Sequence, residues 1–160
     1  MGKLDRQRKR WGDQMLKLSK FSTILGAALC AALILPVTAQ AQSVRTIRND
    51  GGGVVNEYII RANLAVLQGE RLRIDGWCAS ACTAYLGNPN TCVTPSAQFG
   101  FHGPSGGTPA ENQRAAQTLA RHLPAVLHDW YLTKAAPLQG NDHIAISGKE
   151  LVRIGAAHWC

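Results

Sequence analysis

The sequence predicts an α/β domain with short parallel strands and crossover helices. An alternating run at 44–48 is typical of a strand, and three glycines follow it at 51–53. The next segment, 54–68, repeats apolar side chains at steps of three and four residues, as an amphipathic helix does. A second strand pattern at 71–74 then leads into the small, apolar segment 79–86. Strand and helix signals in this order predict parallel strands, because a crossover helix returns the chain in its original direction.

The second half of the chain adds further elements. Two extended pieces are predicted at 92–94 and 98–101. Thr108 opens a capping box with a proline in the first turn, which predicts a helix that is then interrupted at Pro124. A second capping box begins at Ser147 and predicts a last, short helix.

Residues 1–42 have the composition of a secretory signal peptide. Basic residues crowd the start of the chain, an apolar run follows at 24–35, and an Ala-x-Ala cleavage pattern ends at Ala41. We therefore expect a periplasmic or secreted mature chain, 43–160, that forms one domain. The apolar run is short for a bilayer span, so an uncleaved N-terminal anchor is the alternative, and it is the only membrane contact we expect.

The charge distribution argues against a nucleic-acid partner. The whole chain has a formal net charge of +7, but residues 1–42 hold seven of the 17 basic residues and two of the ten acidic ones. Ten basic residues against eight acidic ones remain, so the mature chain is close to neutral. No basic stripe with interleaved aromatic residues is left to bind phosphates.

The four cysteines of the mature part predict disulfide bonds. Cys78, Cys82, Cys92 and Cys160 are even in number, and an exported protein meets an oxidising compartment. The spacing leaves three pairings open, and bridges from the first two cysteines to the last two would tie down the turn around residue 80. The alternative is a zinc site that joins the first three cysteines to His102, although Cys-x₃-Cys is not a usual zinc spacing.

Ser80 lies where the second predicted strand gives way to a helix. A serine at a helix N-terminus is close to unpaired backbone N–H groups and to the positive end of the helix dipole, which stabilise an oxyanion. Both neighbours of Ser80 are alanine, so a substrate carbonyl can approach the backbone. The Gly-x-Ser-x-Gly elbow of the α/β-hydrolases is absent. Taken alone, such a serine is more often a simple helix N-cap.

His102 follows the extended piece at 98–101, where its side chain can reach back to Ser80. An imidazole within hydrogen-bond distance of a serine hydroxyl can accept its proton and later return a proton to the leaving group. A purely structural histidine is the alternative interpretation.

The two motifs together resemble the Clp peptidase and crotonase superfamily. The pattern Gly-x-x-x-Ser-Ala at 76–81, followed by Pro-x-Ala-x-Phe-Gly-Phe-His at 95–102, is most similar to the small secreted bacterial branch of that family. The resemblance implies a single ClpP/crotonase-like domain in which the serine is a nucleophile and the histidine its general base. The glycine run at 49–54 lies where the family has a Ser-Pro-Gly-Gly loop, which implies an oxyanion hole formed by the N–H groups of Gly52 and Ala81.

The resemblance leaves the third catalytic residue open. In Clp peptidases the catalytic aspartate lies four residues before the serine of a Ser-x-x-Glu helix, and the matching helix here begins at Ser147. Counting back four residues gives His143, whereas Asp142 lies five residues back. We predict Asp142, and the alternatives are Asp129 or a dyad without an acid.

The expected function is that of a serine hydrolase, specifically a peptidase that acts on a peptide or protein substrate through an acyl-enzyme. No cofactor or metal is expected, and a homo-oligomer is an expectation taken from the family. One alternative is a binding or envelope-assembly module that has the same scaffold without turnover. Another is a hydratase or thioesterase of the crotonase kind, which would need coenzyme A outside the cytoplasm.

Overall fold

A computed structural model describes residues 42–160, and the predicted signal peptide lies outside these residues except for Gln42. The described part is α/β, with a mostly parallel sheet of five strands: β1 (Val44–Asp50), β2 (Arg71–Ala79), β3 (Thr91–Val93), β4 (Gln98–Phe101) and β5 (Ile144–Ser147). The α-helices are α1 (Val55–Leu67), α2 (Pro109–His122) and α3 (Gly148–Arg153). A 3₁₀ helix occupies Ser80–Gly87, where an α-helix was expected. None of the helices in this part of the chain is long and apolar enough to cross a bilayer.

Strand β2 lies at the centre of the sheet. The order is β1-β2-β4-β5, and β3 pairs with the first half of β2 while β4 pairs with its end. The pairs that β2 makes are all parallel, as predicted. A bulge on β2 sits at Gly76, whose φ is +145° and whose missing side chain leaves room for the Arg48 carbonyl.

Strand β5 runs antiparallel to β4, whereas the sequence predicted only parallel strands with crossover helices. After α2 the chain turns at Pro124 and comes back through a 3₁₀ turn (Ala125–Leu127), a helical turn (His128–Trp130) and a π-helical turn (Tyr131–Ala135). This second helical pass returns it to the end of β4, where Gly103 N–H donates to the Leu138 carbonyl. Strand β5 therefore starts beside the end of β4 and runs the other way.

Helices α2 and α3 form at the positions that their capping patterns predict. Thr108 and Glu111 make the reciprocal capping box of α2, and the helix ends at His122, just before Pro124. Ser147 caps α3 by accepting from Glu150 N–H, but the Glu150 carboxylate pairs with an arginine instead of completing the box. Helix α1 buries Val55, Tyr58, Ala62 and Ala65 against the core.

The cysteines form two disulfides, Cys78–Cys82 and Cys92–Cys160. The cross-pairing considered from the sequence is not formed. Cys78 lies next to last in β2 and Cys82 in the first turn of the 3₁₀ helix that follows, and their Cα atoms are 5.4 Å apart. Hydrogen bonds that join the C-terminal tail to Val93 place Cys160 beside β3. Because Cys78, Cys82 and Cys92 are oxidised, they are not thiolate ligands for zinc, and the Cys₃His alternative is not formed. Both bridges fit a protein outside the cytoplasm.

Candidate active site

Ser80 has a strained backbone. Its φ is +56°, the only positive value for a non-glycine residue within 42–160. A left-handed conformation at such a residue costs on the order of 1–3 kcal/mol, and functional sites often contain one. Ala79 occupies the N-cap position of the 3₁₀ helix, and no side chain caps this helix. The Ser80 hydroxyl therefore does not serve as the helix cap.

The glycine loop packs directly on this turn. Gly52 has a φ of +86°, and a β-carbon on it would lie 2.7 Å from the Ala79 oxygen, the Ala81 nitrogen and Ser80 Cβ. Only glycine allows this approach, because any side chain would occupy the space of the Ser80 backbone. The contact brings the loop after β1 and the turn after β2 to one point.

Asp50 holds the glycine loop in place. One carboxylate oxygen, Oδ1, accepts the Gly52 N–H at 2.9 Å and the Tyr58 hydroxyl at 2.6 Å. Burial, and then the hydrogen bond to Asp50, raise the pKa of Tyr58 to about 12, so the phenol remains a proton donor at neutral pH. The Asp-x-Gly spacing is the signature of an Asx turn and was readable in the sequence.

This anchoring changes the expected oxyanion donors. The Gly52 N–H is already bonded to Asp50, so it is not free for a substrate oxygen. The next amide, that of Gly53, has no hydrogen-bond acceptor within 42–160, and Gly53 lines the same cavity as Ser80 and Ala81.

His102 is fixed at the end of β4 by contacts on both sides. Its Nδ1 lies 2.8 Å from the Gly103 carbonyl oxygen. Because a carbonyl only accepts, Nδ1 carries the proton in this hydrogen bond, so the tautomer that it favours has its free lone pair on Nε2. The His102 carbonyl accepts from the buried Tyr131 hydroxyl at 3.2 Å, and Gly103 packs against the Ala136 carbonyl so closely that no side chain fits there.

Ser80 and His102 lie just beyond the ends of two adjacent strands. The last pair of the β2–β4 ladder is Ala79 with Gly100, so Ser80 lies one residue and His102 two residues beyond it. Adjacent strands are about 4.8 Å apart. Both residues line a cavity of about 530 Å³ at the carboxyl ends of parallel strands, which is the usual place for a ligand site in an α/β sheet.

The remaining walls of the cavity come from the helices. The first turn of α1, the loop after Gly103 and one face of α2 contribute side chains. Three ionisable residues line it: His102, Glu111 and Arg114. Glu111 accepts hydrogen bonds from the Thr108 backbone and hydroxyl, which lower the pKa of its carboxyl group. Arg114 was not identified from the sequence, because an exposed arginine on a helix gives no local signal.

The structure places neither aspartate on the His102 ring. Asp142 is exposed in the loop before β5, and its backbone N–H donates to the Gln139 carbonyl. Asp129 is exposed on the helical turn after α2. His143, the residue reached by the family spacing, packs edge-on against Trp77 with ring centres 5.4 Å apart. The acceptor that does contact His102 Nδ1 is the carbonyl of its own neighbour.

No arrangement of three His, Cys, Asp or Glu side chains within 42–160 is suited to hold a metal ion. Comparison of the chain with protein-family models and with curated proteins finds no match.

Proposed function

We propose that the protein is a periplasmic or secreted serine hydrolase, a ClpP-like peptidase that works through an acyl-enzyme. The main support is the placement of Ser80 and His102 at adjoining ends of parallel strands in one cavity. Further support comes from the strained backbone of Ser80 and from its close contact with the glycine loop. The motif resemblance to the Clp peptidase and crotonase superfamily points to the same reaction, and the two disulfides fit the proposed location.

In the proposed reaction Ser80 Oγ attacks the carbonyl carbon of a peptide bond. The Oγ–C bond forms while the hydroxyl proton moves to Nε2 of His102, which is the unprotonated ring nitrogen. Collapse of the tetrahedral intermediate breaks the C–N bond, and Nε2 returns the proton to the leaving amine. A water molecule, deprotonated by the same nitrogen, then attacks the acyl carbon. The Oγ–C bond breaks, Nε2 returns the proton to Ser80 Oγ, and the acyl group leaves as a carboxylic acid.

Two backbone amides are proposed to stabilise the oxyanion. Ala81 N–H lies in the first turn of the 3₁₀ helix, where it has no intrahelical acceptor. Gly53 N–H replaces the Gly52 N–H implied by the family resemblance, because the latter is bonded to Asp50. Donors of this kind each contribute about 10²–10³ in turnover when they are preorganised.

The catalytic unit is proposed to be a dyad whose histidine is oriented by a carbonyl. The Gly103 oxygen fixes the tautomer and the ring plane, which is one of the tasks of the aspartate in a triad. A neutral acceptor stabilises the imidazolium less than a carboxylate does, so the dyad is expected to be the slower catalyst.

A fluorophosphonate probe tests the proposed function, because it reacts with an activated serine and needs no knowledge of the substrate. Wild-type protein with both bridges intact should be labelled on Ser80, as identified by peptide mass spectrometry. Ser80→Ala should abolish labelling and His102→Ala should lower its rate by several powers of ten. Ser105→Ala is the matched control, since Ser105 lines the same cavity outside the proposed dyad.

Absence of labelling in the wild-type protein, or equal labelling of wild type and Ser80→Ala, would contradict the proposal. The disulfide-containing binding module on the same scaffold would then take its place.

A further inference from the structure

We infer that Arg114 selects substrates by binding a carboxylate next to the bond that Ser80 attacks. This inference rests on the proposed function and adds the chemical class of the substrate. The carboxylate belongs either to an aspartate or glutamate side chain or to the C-terminus of a peptide.

Arg114 is one of two arginines without a side-chain partner within 42–160. The other six of the eight arginines there have one: Arg45, Arg48, Arg61, Arg73, Arg121 and Arg153. Arg71 and Arg114 make no such contact, and of these two only Arg114 lines the cavity. None of the side-chain N–H donors of this guanidinium is therefore used within 42–160, and they remain for a ligand.

The other charged group of the cavity is already engaged. Glu111 lies three residues before Arg114 on α2, yet its carboxylate turns to the start of the helix, where both Thr108 donors bind it at 2.8 Å. It makes no ion pair with Arg114. The Asn112 side chain is also occupied, through two hydrogen bonds with Gly107. Arg114 is left as the cation whose hydrogen-bonding capacity is unused.

The guanidinium group determines the ligand class. Its planar fork matches a carboxylate through two parallel N–H···O bonds, whereas a lysine would offer only a point charge. An amide has one acceptor oxygen and no charge, so asparagine or glutamine at the same substrate position should bind less well. The carboxylate is expected close to the bond that Ser80 attacks, because Arg114 lines the same cavity as Ser80 and His102.

Digestion of a mixed peptide library measures this selectivity within each variant. The readout is the ratio of cleavage at peptides with Asp or Glu to cleavage at those with Asn or Gln, position by position, from mass spectrometry of the products. For a side-chain carboxylate, wild type should favour the acidic peptides about tenfold at one position, the lower end for a charge-assisted hydrogen bond at an exposed site, and for a C-terminal carboxylate it should favour the free terminus by a similar factor. Arg114→Gln should bring the ratio close to one, and Arg114→Lys should give an intermediate value.

Arg71→Gln is the control, because it removes the same charge from an unpaired arginine outside the cavity, and it should keep the wild-type ratio. Peptides with free and amidated C-termini separate the two sources of the carboxylate. Preference for the free terminus identifies a chain end, and preference that survives amidation identifies a side chain.

Two outcomes overturn the inference separately. If the probe labels Ser80 but Arg114→Gln changes neither the acidic-to-amide ratio nor the preference for a free C-terminus, the hydrolase proposal stands and the role of Arg114 is wrong. If the probe does not label wild type, the proposed function fails and the inference fails with it.

Discussion

The ring of His102 donates through Nδ1 to the carbonyl oxygen of Gly103, 2.8 Å away. The two residues are adjacent in sequence, so the histidine is oriented by its own strand end and not by a residue from a distant loop. Asp142, the acid predicted from the family resemblance, is exposed in the loop before β5 and makes no hydrogen bond to this ring.

Asp142→Asn should therefore leave fluorophosphonate labelling within about twofold of wild type. Removing the charge leaves the Nδ1–H···O=C hydrogen bond untouched, and an exposed substitution of this kind changes the free energy of unfolding by less than about 0.5 kcal/mol. The labelling rate constant and the melting temperature measure the two effects. A drop of tenfold or more in the rate constant would restore Asp142 as the third member of a triad.

Gly52→Ala should abolish labelling and destabilise the fold. The new methyl group would lie 2.7 Å from backbone atoms on both sides of Ser80, at a φ of +86° that disfavours alanine. Strain and overpacking together predict a loss of more than about 2 kcal/mol in the free energy of unfolding. Gly51→Ala is the control, because a β-carbon on Gly51 meets no atom within 4 Å. If both variants behave alike in denaturation and labelling, the close contact is not needed for the site.

Removal of each disulfide should affect stability and labelling to different extents. Cys92–Cys160 closes a loop of sequence separation 68 and Cys78–Cys82 one of 4, so loop entropy predicts stabilisation of about 4 and about 2 kcal/mol respectively. Replacing Cys78 and Cys82 by alanine should nonetheless slow labelling more, because this bridge spans the strained turn at Ser80. Urea denaturation and labelling of both double variants measure the two effects. The prediction is wrong if labelling slows more in the double variant at Cys92 and Cys160 than in the one at Cys78 and Cys82.

Stability should fall as the pH rises from about 10 towards 12. The pKa of Tyr58 is raised to about 12 in the folded protein, so the neutral phenol is favoured by folding. This contribution is fully present below the unfolded pKa of about 10 and is lost as the pH approaches the folded value. Tyr58→Phe should reduce the slope of melting temperature against pH and cost about 1 kcal/mol at neutral pH through the lost bond to Asp50. Burial also raises the pKa values of Tyr85 and Tyr131, so some slope should remain. An unchanged slope in Tyr58→Phe would contradict the assignment of this pH dependence to Tyr58.

Local patterns predicted most of the elements. The strand at 98–101 has the predicted bounds, and the capping box at Thr108 begins α2 where expected. These features depend on neighbouring residues, which a linear pattern contains. The antiparallel direction of β5 depends on the return of the chain at Leu138, a long-range hydrogen bond that no local pattern encodes.

The candidate site was predictable only in part, because it too depends on long-range contacts. Ser80 and His102 were singled out by their motifs, and their placement in one cavity follows from the register of β2 and β4. The disulfide pairing was not readable, since it depends on the path of the C-terminal tail. The Asx turn that occupies Gly52 N–H was readable from the Asp-x-Gly spacing but was not used.

The Cys92–Cys160 bridge turns the second half of the protein into a covalent ring. The exposed loop at 105–107 lies within this ring, so one proteolytic cut there would leave two fragments joined by sulfur. Ser80 and His102 would remain on one fragment and Arg114 would be on the other. Such a nicked protein would migrate as one species until a reducing agent is added. New chain ends can accordingly be introduced in this loop while the disulfide keeps Ser80 and His102 in the same molecule as Arg114.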